Sequence, residues 1–128
     1  MVTLEAILYP DVGVLLLRFA VGAVFLYHAW PKLKAPAEMA KGIGWPSWGP
    51  MVLGGVEMLG ALSVILGVYA QLGAAALAVV MAGAIYLKVA KWKVPFSAMD
   101  KMGWEFDLVL LAANLAILLG GAGAYALL

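Results

Sequence analysis

The side chains able to do chemistry in this chain are few, and they stand inside or at the ends of long apolar runs. Arg18 interrupts the run from about Val12 to Trp30, and Glu57 is the one charge in the run from about Met51 to Val68. An ionised group in such surroundings needs a partner or an aqueous cavity, because neither lipid nor a dry core solvates it. Arg18 lies roughly 10 Å along its run by helix rise. Glu57 lies about as far along its own run from the opposite face, so in a bilayer of about 30 Å their backbones differ by roughly 5–10 Å in depth. Both side chains are long. Gly22, four residues after Arg18, and Gly54, three before Glu57, leave room for them. The spacing therefore predicts an intramembrane ion pair, Arg18–Glu57, locking the first two runs together. A ligand- or proton-binding role for the two charges is the alternative.

A second group gathers where the first run ends, the third ends and the fourth begins. It contains Tyr27, His28, Trp30, Lys88, Glu105, Asp107 and Asn114, with Trp45 or Trp48 as further candidates from a loop. Asp107 and Asn114 are two helical turns apart and share one face. Glu105 lies about 200° around the helix from Asp107 and sits where a helix N-terminus favours an anion. Lys88 can snorkel to the interface, and His28 can be an interfacial histidine bonded to a neighbour. The sharper reading makes His28 a proton relay, or a hydrogen-bonding group for a quinone-like headgroup. The candidate ligand-binding set is then His28, Tyr27, Trp30, Lys88, Asp107 and Asn114. No catalytic residue is assigned. The absence of cysteine excludes disulfides, thiolate metal sites and dithiol chemistry by this chain. The single histidine excludes bis-histidine haem ligation, although His28 with a methionine remains formally open, and no metal site is assigned. No phosphate loop or dinucleotide fingerprint is present, and Gly120-Gly121-Ala122-Gly123 reads as a helix stop.

The elements that must position these groups follow from composition. The 128 residues are 66% hydrophobic and 12% charged, against a charged fraction of about 25% in ordinary soluble domains. Four apolar runs, at about residues 12–30, 51–68, 72–87 and 107–127, each have roughly the 24–31 Å needed to cross the hydrocarbon layer. The expected fold is an all-α integral membrane protein, an antiparallel four-transmembrane-helix bundle forming one domain over residues 1–128. The short turn Gly67–Gln71 makes the second and third runs antiparallel neighbours. The segment from Pro36 to Gly42 is expected to form one or two turns of interfacial helix. Ala74, Ala78 and Ala82 form a small-residue stripe for close helix approach. The N-terminus is not expected to be a cleavable signal peptide, since its apolar run is long and contains Arg18.

All the tryptophans and every lysine fall on the side of the two long connections, whereas Glu5, Asp11 and a belt of Tyr9, Tyr69 and Tyr125 mark the other. Lysine-rich short loops stay cytoplasmic, which places both long loops in the cytoplasm and both termini outside. A net charge of +1 gives no support for nucleic-acid binding.

Several segments together resemble the DoxX family of four-helix membrane proteins. They are Leu17-Arg18-Phe19-Ala20-Val21-Gly22 with Phe25 to Leu33, Val56-Glu57-Met58-Leu59-Gly60 through Gly67, Gly103-Trp104-Glu105-Phe106, and Gly121-Ala122-Gly123. Departures from the family pattern are Ala29 for a glycine, Ala122 for a proline, and a chain that stops at Leu128 without a polar end. The resemblance implies a multi-pass protein of a prokaryotic cell (inner) membrane with a redox association. DoxD relatives are subunits of a thiosulfate–quinone oxidoreductase, and others are linked to thiol and oxidant defence. Arg18, Glu57 and His28 are the polar residues that match by position. The expected function is a membrane anchor or quinone-interacting subunit of an electron-transfer complex, with quinone as candidate ligand and no covalent cofactor. The lipid bilayer, a soluble oxidoreductase subunit and a second copy of the chain are the expected partners. The alternatives are a small transporter or channel with a polar path through Arg18, Glu57 and Asp107, and a structural assembly factor. Surfeit-type cargo receptors and quinone-reducing four-helix redox proteins are similar in outline. The activity of the latter depends on cysteines, which are absent here.

Overall fold

The computed structural model describes residues 9–128, so Thr3 and Glu5 lie outside the described part. Among the described residues five α-helices follow one another: α1 (Pro10–Lys34), α2 (Pro36–Ile43), α3 (Trp48–Leu66), α4 (Ala70–Tyr86) and α5 (Trp104–Gly120). A π-helical turn, Leu87–Lys91, extends α4, and no strand occurs among the described residues. Among the described residues three segments are long and apolar enough to cross a membrane: Pro10–Lys34, Trp48–Leu66 and Ala70–Lys91. Helix α5 is equally apolar in character but has 17 residues, or about 25 Å.

The helix ends carry their causes in sequence. Pro10 opens α1, where its fixed φ suits the first turn and its missing N–H costs nothing, and Asp11 follows at the positive end of the helix dipole. The helix runs past the expected end at Trp30, through Pro31, to Lys34. Helix α3 closes at Gly67, whose φ of +73° is the left-handed cap conformation, and the N–H groups of Gly67 and Val68 both donate to Ser63 O. The short helix expected from Pro36 is present as α2, ending at Ile43. Helix α5 starts three residues before the expected Asp107 and stops at Gly120, well short of Leu127. Gly121 and Gly123 take φ of +85° and +81°, which turns the chain out of the helix. The segment that follows folds across the end of α3, with Leu127 N donating to Leu66 O and Leu128 N to Gly67 O.

Helix α1 packs mainly on α3, α3 on α4, and α4 on α5, while α2 lies against α3 and α1. The shared core is Val21, Phe25, Ala61, Val64, Ala74, Leu77, Met81, Leu110 and Ile117. Small residues set the spacing. A Cβ on Gly22 would collide with the Ile65 side chain, and one on Gly60 would sit 2.9 Å from Leu77. Gly22 thus admits a neighbouring helix and is not a space reserved for Arg18. In membrane helices such close approach gives dispersion and packing where hydrophobic exclusion cannot. The alanine stripe is corrected in one position: Ala74 and Ala78 are buried, but Ala82 is exposed, because the contact face of α4 continues through Leu77 and Met81. On the outer surface Leu59, Leu72, Val79 and Leu119 are 71% to 83% exposed. Apolar exposure of that extent around a small bundle marks a lipid-facing surface.

Candidate ligand cavity and its ion pairs

Arg18 and Glu57 are not partners. Arg18 is fully buried and spends its guanidinium on backbone carbonyls. Nε donates to Val64 O at 2.7 Å, Nη2 to Ile65 O at 2.9 Å, and Nη1 to Ala122 O and Tyr125 O at 3.0 and 2.9 Å. The last carbonyls of a helix have no intrahelical donor, and they form the negative end of its dipole. A guanidinium fork is the side chain best shaped to satisfy several at once. With Gly67 and Val68 N–H on Ser63 O and Leu127 N–H on Leu66 O, every carbonyl from Ser63 to Leu66 is satisfied. The predicted ion pair fails because the end of α3 supplies enough partial negative charge to replace a carboxylate.

Glu57 finds its cation elsewhere. Lys32 Nζ, from the last turns of α1, donates to both Glu57 oxygens at 2.9 Å and to His28 O at 3.3 Å. Glu57 is only 2% exposed, so the pair is essentially interior. A second pair lies between α4 and α5. Lys88 Nζ is 2.6 Å from Asp107 Oδ2, a direct ion pair. Lys88 is placed by the π turn at the end of α4 and also reaches Met102 O at 3.4 Å. Asp107 is held in the first turn of α5, whose start is fixed by Trp104 N and Glu105 N donating to Pro95 O and Phe96 O of the preceding loop.

Both pairs border one cavity of about 580 Å³ at the lysine- and tryptophan-rich end. That volume lies within the roughly 300–1,000 Å³ range of small-molecule sites. Its walls are largely apolar, with Phe25, Pro50, Leu53, Met81, Ala84 and Phe106 among them, and every helix contributes. His28 lines it, half-buried, with its ring centroid 5.3 Å from that of Phe106 and 5.4 Å from that of Tyr27.

Of the candidate set, the cavity brings together His28, Lys88 and Asp107. Tyr27 and Trp30 point outward, 77% and 60% exposed, since they fall off the face of α1 that carries Arg18, Phe25, Ala29 and Lys32. Asn114 shares the buried face of α5 with Asp107 as expected, but sits two turns deeper in the core. Its Nδ2 donates to Leu110 O, and Oδ1 has no partner among the described residues. Trp45 lines the cavity and Trp48 does not. Asp107 lines the cavity and Glu105 does not. The sequence reading missed Lys32 and Phe106, and offered Glu57 a ligand-binding role only as the alternative to its ion pair with Arg18. Lys32 carried a signal: it is four residues after His28, on the same helix face.

A family model described as DoxX matches residues 13–90. The chain is 29% identical over 120 residues to a Bacillus subtilis (strain 168) protein named "Putative oxidoreductase CatD", covering 91% of this chain and 85% of that protein. No solved structure matches. Arg18, His28, Lys32, Glu57 and Lys88 all fall within the matched segment, and with three apolar helices of spanning length the chain is a membrane protein that belongs to the DoxX family.

Proposed function

We propose that this protein is a quinone-interacting membrane subunit of an electron-transfer assembly, binding a quinone headgroup in the cavity beside His28. The observation that carries this reading is the cavity itself: an apolar-walled space of about 580 Å³ with a histidine and two lysine–carboxylate pairs on its lining. Histidine titrates near neutrality when unperturbed, which suits proton exchange with a headgroup that gains or loses protons. The relative's name contains "oxidoreductase", which agrees with a redox role. On this reading four helices, α1, α3, α4 and α5, cross the membrane as an antiparallel bundle, with α2 at the interface. Charge transfer to or from a soluble oxidoreductase subunit takes place at the lysine-rich face. A polar transport path is disfavoured, because Arg18 is sealed among carbonyls at the other end of α3 and does not line the cavity.

Binding is read by quenching of tryptophan fluorescence on titrating decylubiquinone into the detergent-purified protein, since Trp45 and Trp92 line the cavity. Saturable quenching is expected, weakened about tenfold, or ~1.4 kcal/mol, in His28→Ala. Ala84→Phe, which projects a ring into the cavity, is expected to abolish it. Undiminished binding in Ala84→Phe would place the quinone elsewhere, and no binding at all would leave the structural-assembly reading.

The cytoplasmic placement of the two long loops is tested with single cysteines, a clean experiment in a chain that has none. Cysteines at Ala37 and Ser97 are expected to resist a membrane-impermeant maleimide in intact cells, and one at Leu128 to react. The opposite pattern inverts the bundle.

A further inference from the structure

The cavity beside His28 does not end at the bundle wall. A groove of about 420 Å³ adjoins it on the outer side of α3. Trp45, Leu53 and Val80 line both spaces, so the two meet where α3 and α4 face each other. Trp45 is half-buried at this junction and lies on Gly49, where an added Cβ would stand 3.2 Å from Trp45 Cε3. Beyond the junction the walls are the exposed side chains of Trp48, Val52 and Val56. Trp48 to Val56 covers about 12 Å of α3, from its tryptophan-rich start toward its middle. No charged side chain is among the described residues that line the groove. The charges belong to the cavity alone, on Lys32, Glu57, Lys88 and Asp107.

A molecule that fills both spaces has a polar head and an apolar chain. The cavity also opens on the exposed face of α4, at Val79, Gly83 and Tyr86, which in a spanning helix looks sideways into lipid. Resting on the quinone reading above, we infer that the site takes a long-chain quinone laterally from the bilayer, with the headgroup beside His28 and the chain passing over Leu53 and Val80 into the groove along α3. The direction suits a lipid. The head sits at the lysine- and tryptophan-rich end, and the chain runs from Trp48 toward Val56, toward the bilayer centre. A chain that leaves lipid for the groove gains no hydrophobic free energy, because lipid tails are as apolar as the groove. It gains dispersion from close fit, so the preference depends on the shape of the groove. Filling the groove therefore removes the preference without touching the headgroup.

The test titrates decylubiquinone, and the same dimethoxy-methyl-benzoquinone ring without its chain, into purified wild type and Val52→Phe/Val56→Phe. Tryptophan quenching is read at one detergent concentration. Each ligand is compared with itself across the two proteins, so its partitioning into micelles cancels. The added phenylalanines are apolar at exposed positions and bring no tryptophan signal. In the double variant decylubiquinone is expected to bind about tenfold more weakly, on the scale of overfilling a fitted apolar site, while the chainless ring changes by less than about twofold. Leu59→Phe, on the same helix but outside both spaces, leaves both affinities unchanged. A thermal melt accompanies each variant, and Val56→Phe alone carries the comparison if the double variant does not fold. An unchanged decylubiquinone affinity overturns the inference, leaves the cavity as a quinone site and gives the groove to an ordinary lipid chain. An equal loss for both ligands in a folded variant overturns it too, because the ring alone has then felt the change. Binding of neither ligand by the wild type overturns the quinone reading itself.

Discussion

Arg18→Gln is expected to lower the unfolding free energy of the purified protein by about 3–5 kcal/mol, the scale of leaving a buried charge network without its partner. Four carbonyl oxygens, two from α3 and two from the segment after α5, lose a charge-assisted donor together. Arg18→Lys recovers little of this. An ammonium is a point with three donors, and it cannot reach carbonyls on both sides as a planar guanidinium does. Denaturant unfolding in mixed micelles, followed by tryptophan fluorescence, gives the number. A loss below about 1 kcal/mol would mean that water or lipid headgroups satisfy those carbonyls as well as the arginine does. Combined with Glu57→Gln the effects should add to within about 0.5 kcal/mol, because the two residues share no partner.

Lys32 and Glu57 give the opposite arithmetic. Lys32→Met strands a carboxylate that is 2% exposed, and Glu57→Leu strands the ammonium, so each single change is expected to cost about 3–5 kcal/mol. Lys32→Met/Glu57→Leu removes both charges and fills the space with apolar atoms. Such replacements of buried pairs are often neutral in stability, so the double variant should be more stable than either single, with a coupling of at least about 1–3 kcal/mol. Strict additivity would show that water in the adjoining cavity solvates each charge separately. The double variant also isolates function from fold, since it keeps the bundle while making one side of the cavity uncharged.

The first three apolar runs, the connecting turn at Gly67 and the buried status of Arg18 and Glu57 were legible, because each follows from solvation cost along one dimension of the chain. Partner choice was not. Depth along a helix axis made Arg18 and Glu57 compatible, but it could not weigh a carboxylate against a row of unpaired carbonyls, which appear only where a helix is known to end. Rotational phase was partly available. Arg18, Phe25 and Lys32 recur every seven residues and His28 lies between the last two, so Lys32 could have been placed with the buried face, and Tyr27 and Trp30 off it. Amphipathic contrast, the usual guide to phase, is weak here because lipid-facing and core-facing positions are both apolar. The end of α5 was misjudged for a related reason. Ala122, Ala124 and Leu127 look like helix, and the positive φ of Gly121 outweighs them.

The order in which the chain is made gives the arginine cluster a further meaning. Arg18 leaves the ribosome in the first apolar helix, while its acceptors on Ala122 and Tyr125 lie 104 and 107 residues later. At roughly 5–20 residues per second this leaves Arg18 without those two acceptors for about 5–20 s of synthesis, and its partners on α3 arrive only midway. Helix α1 is therefore synthesised with a charge whose carbonyl partners do not yet exist, and the arginine cluster closes only after the segment following α5 has been made. A chain cut before Ala122 would keep the two α3 acceptors of Arg18 and lose both acceptors of its Nη1.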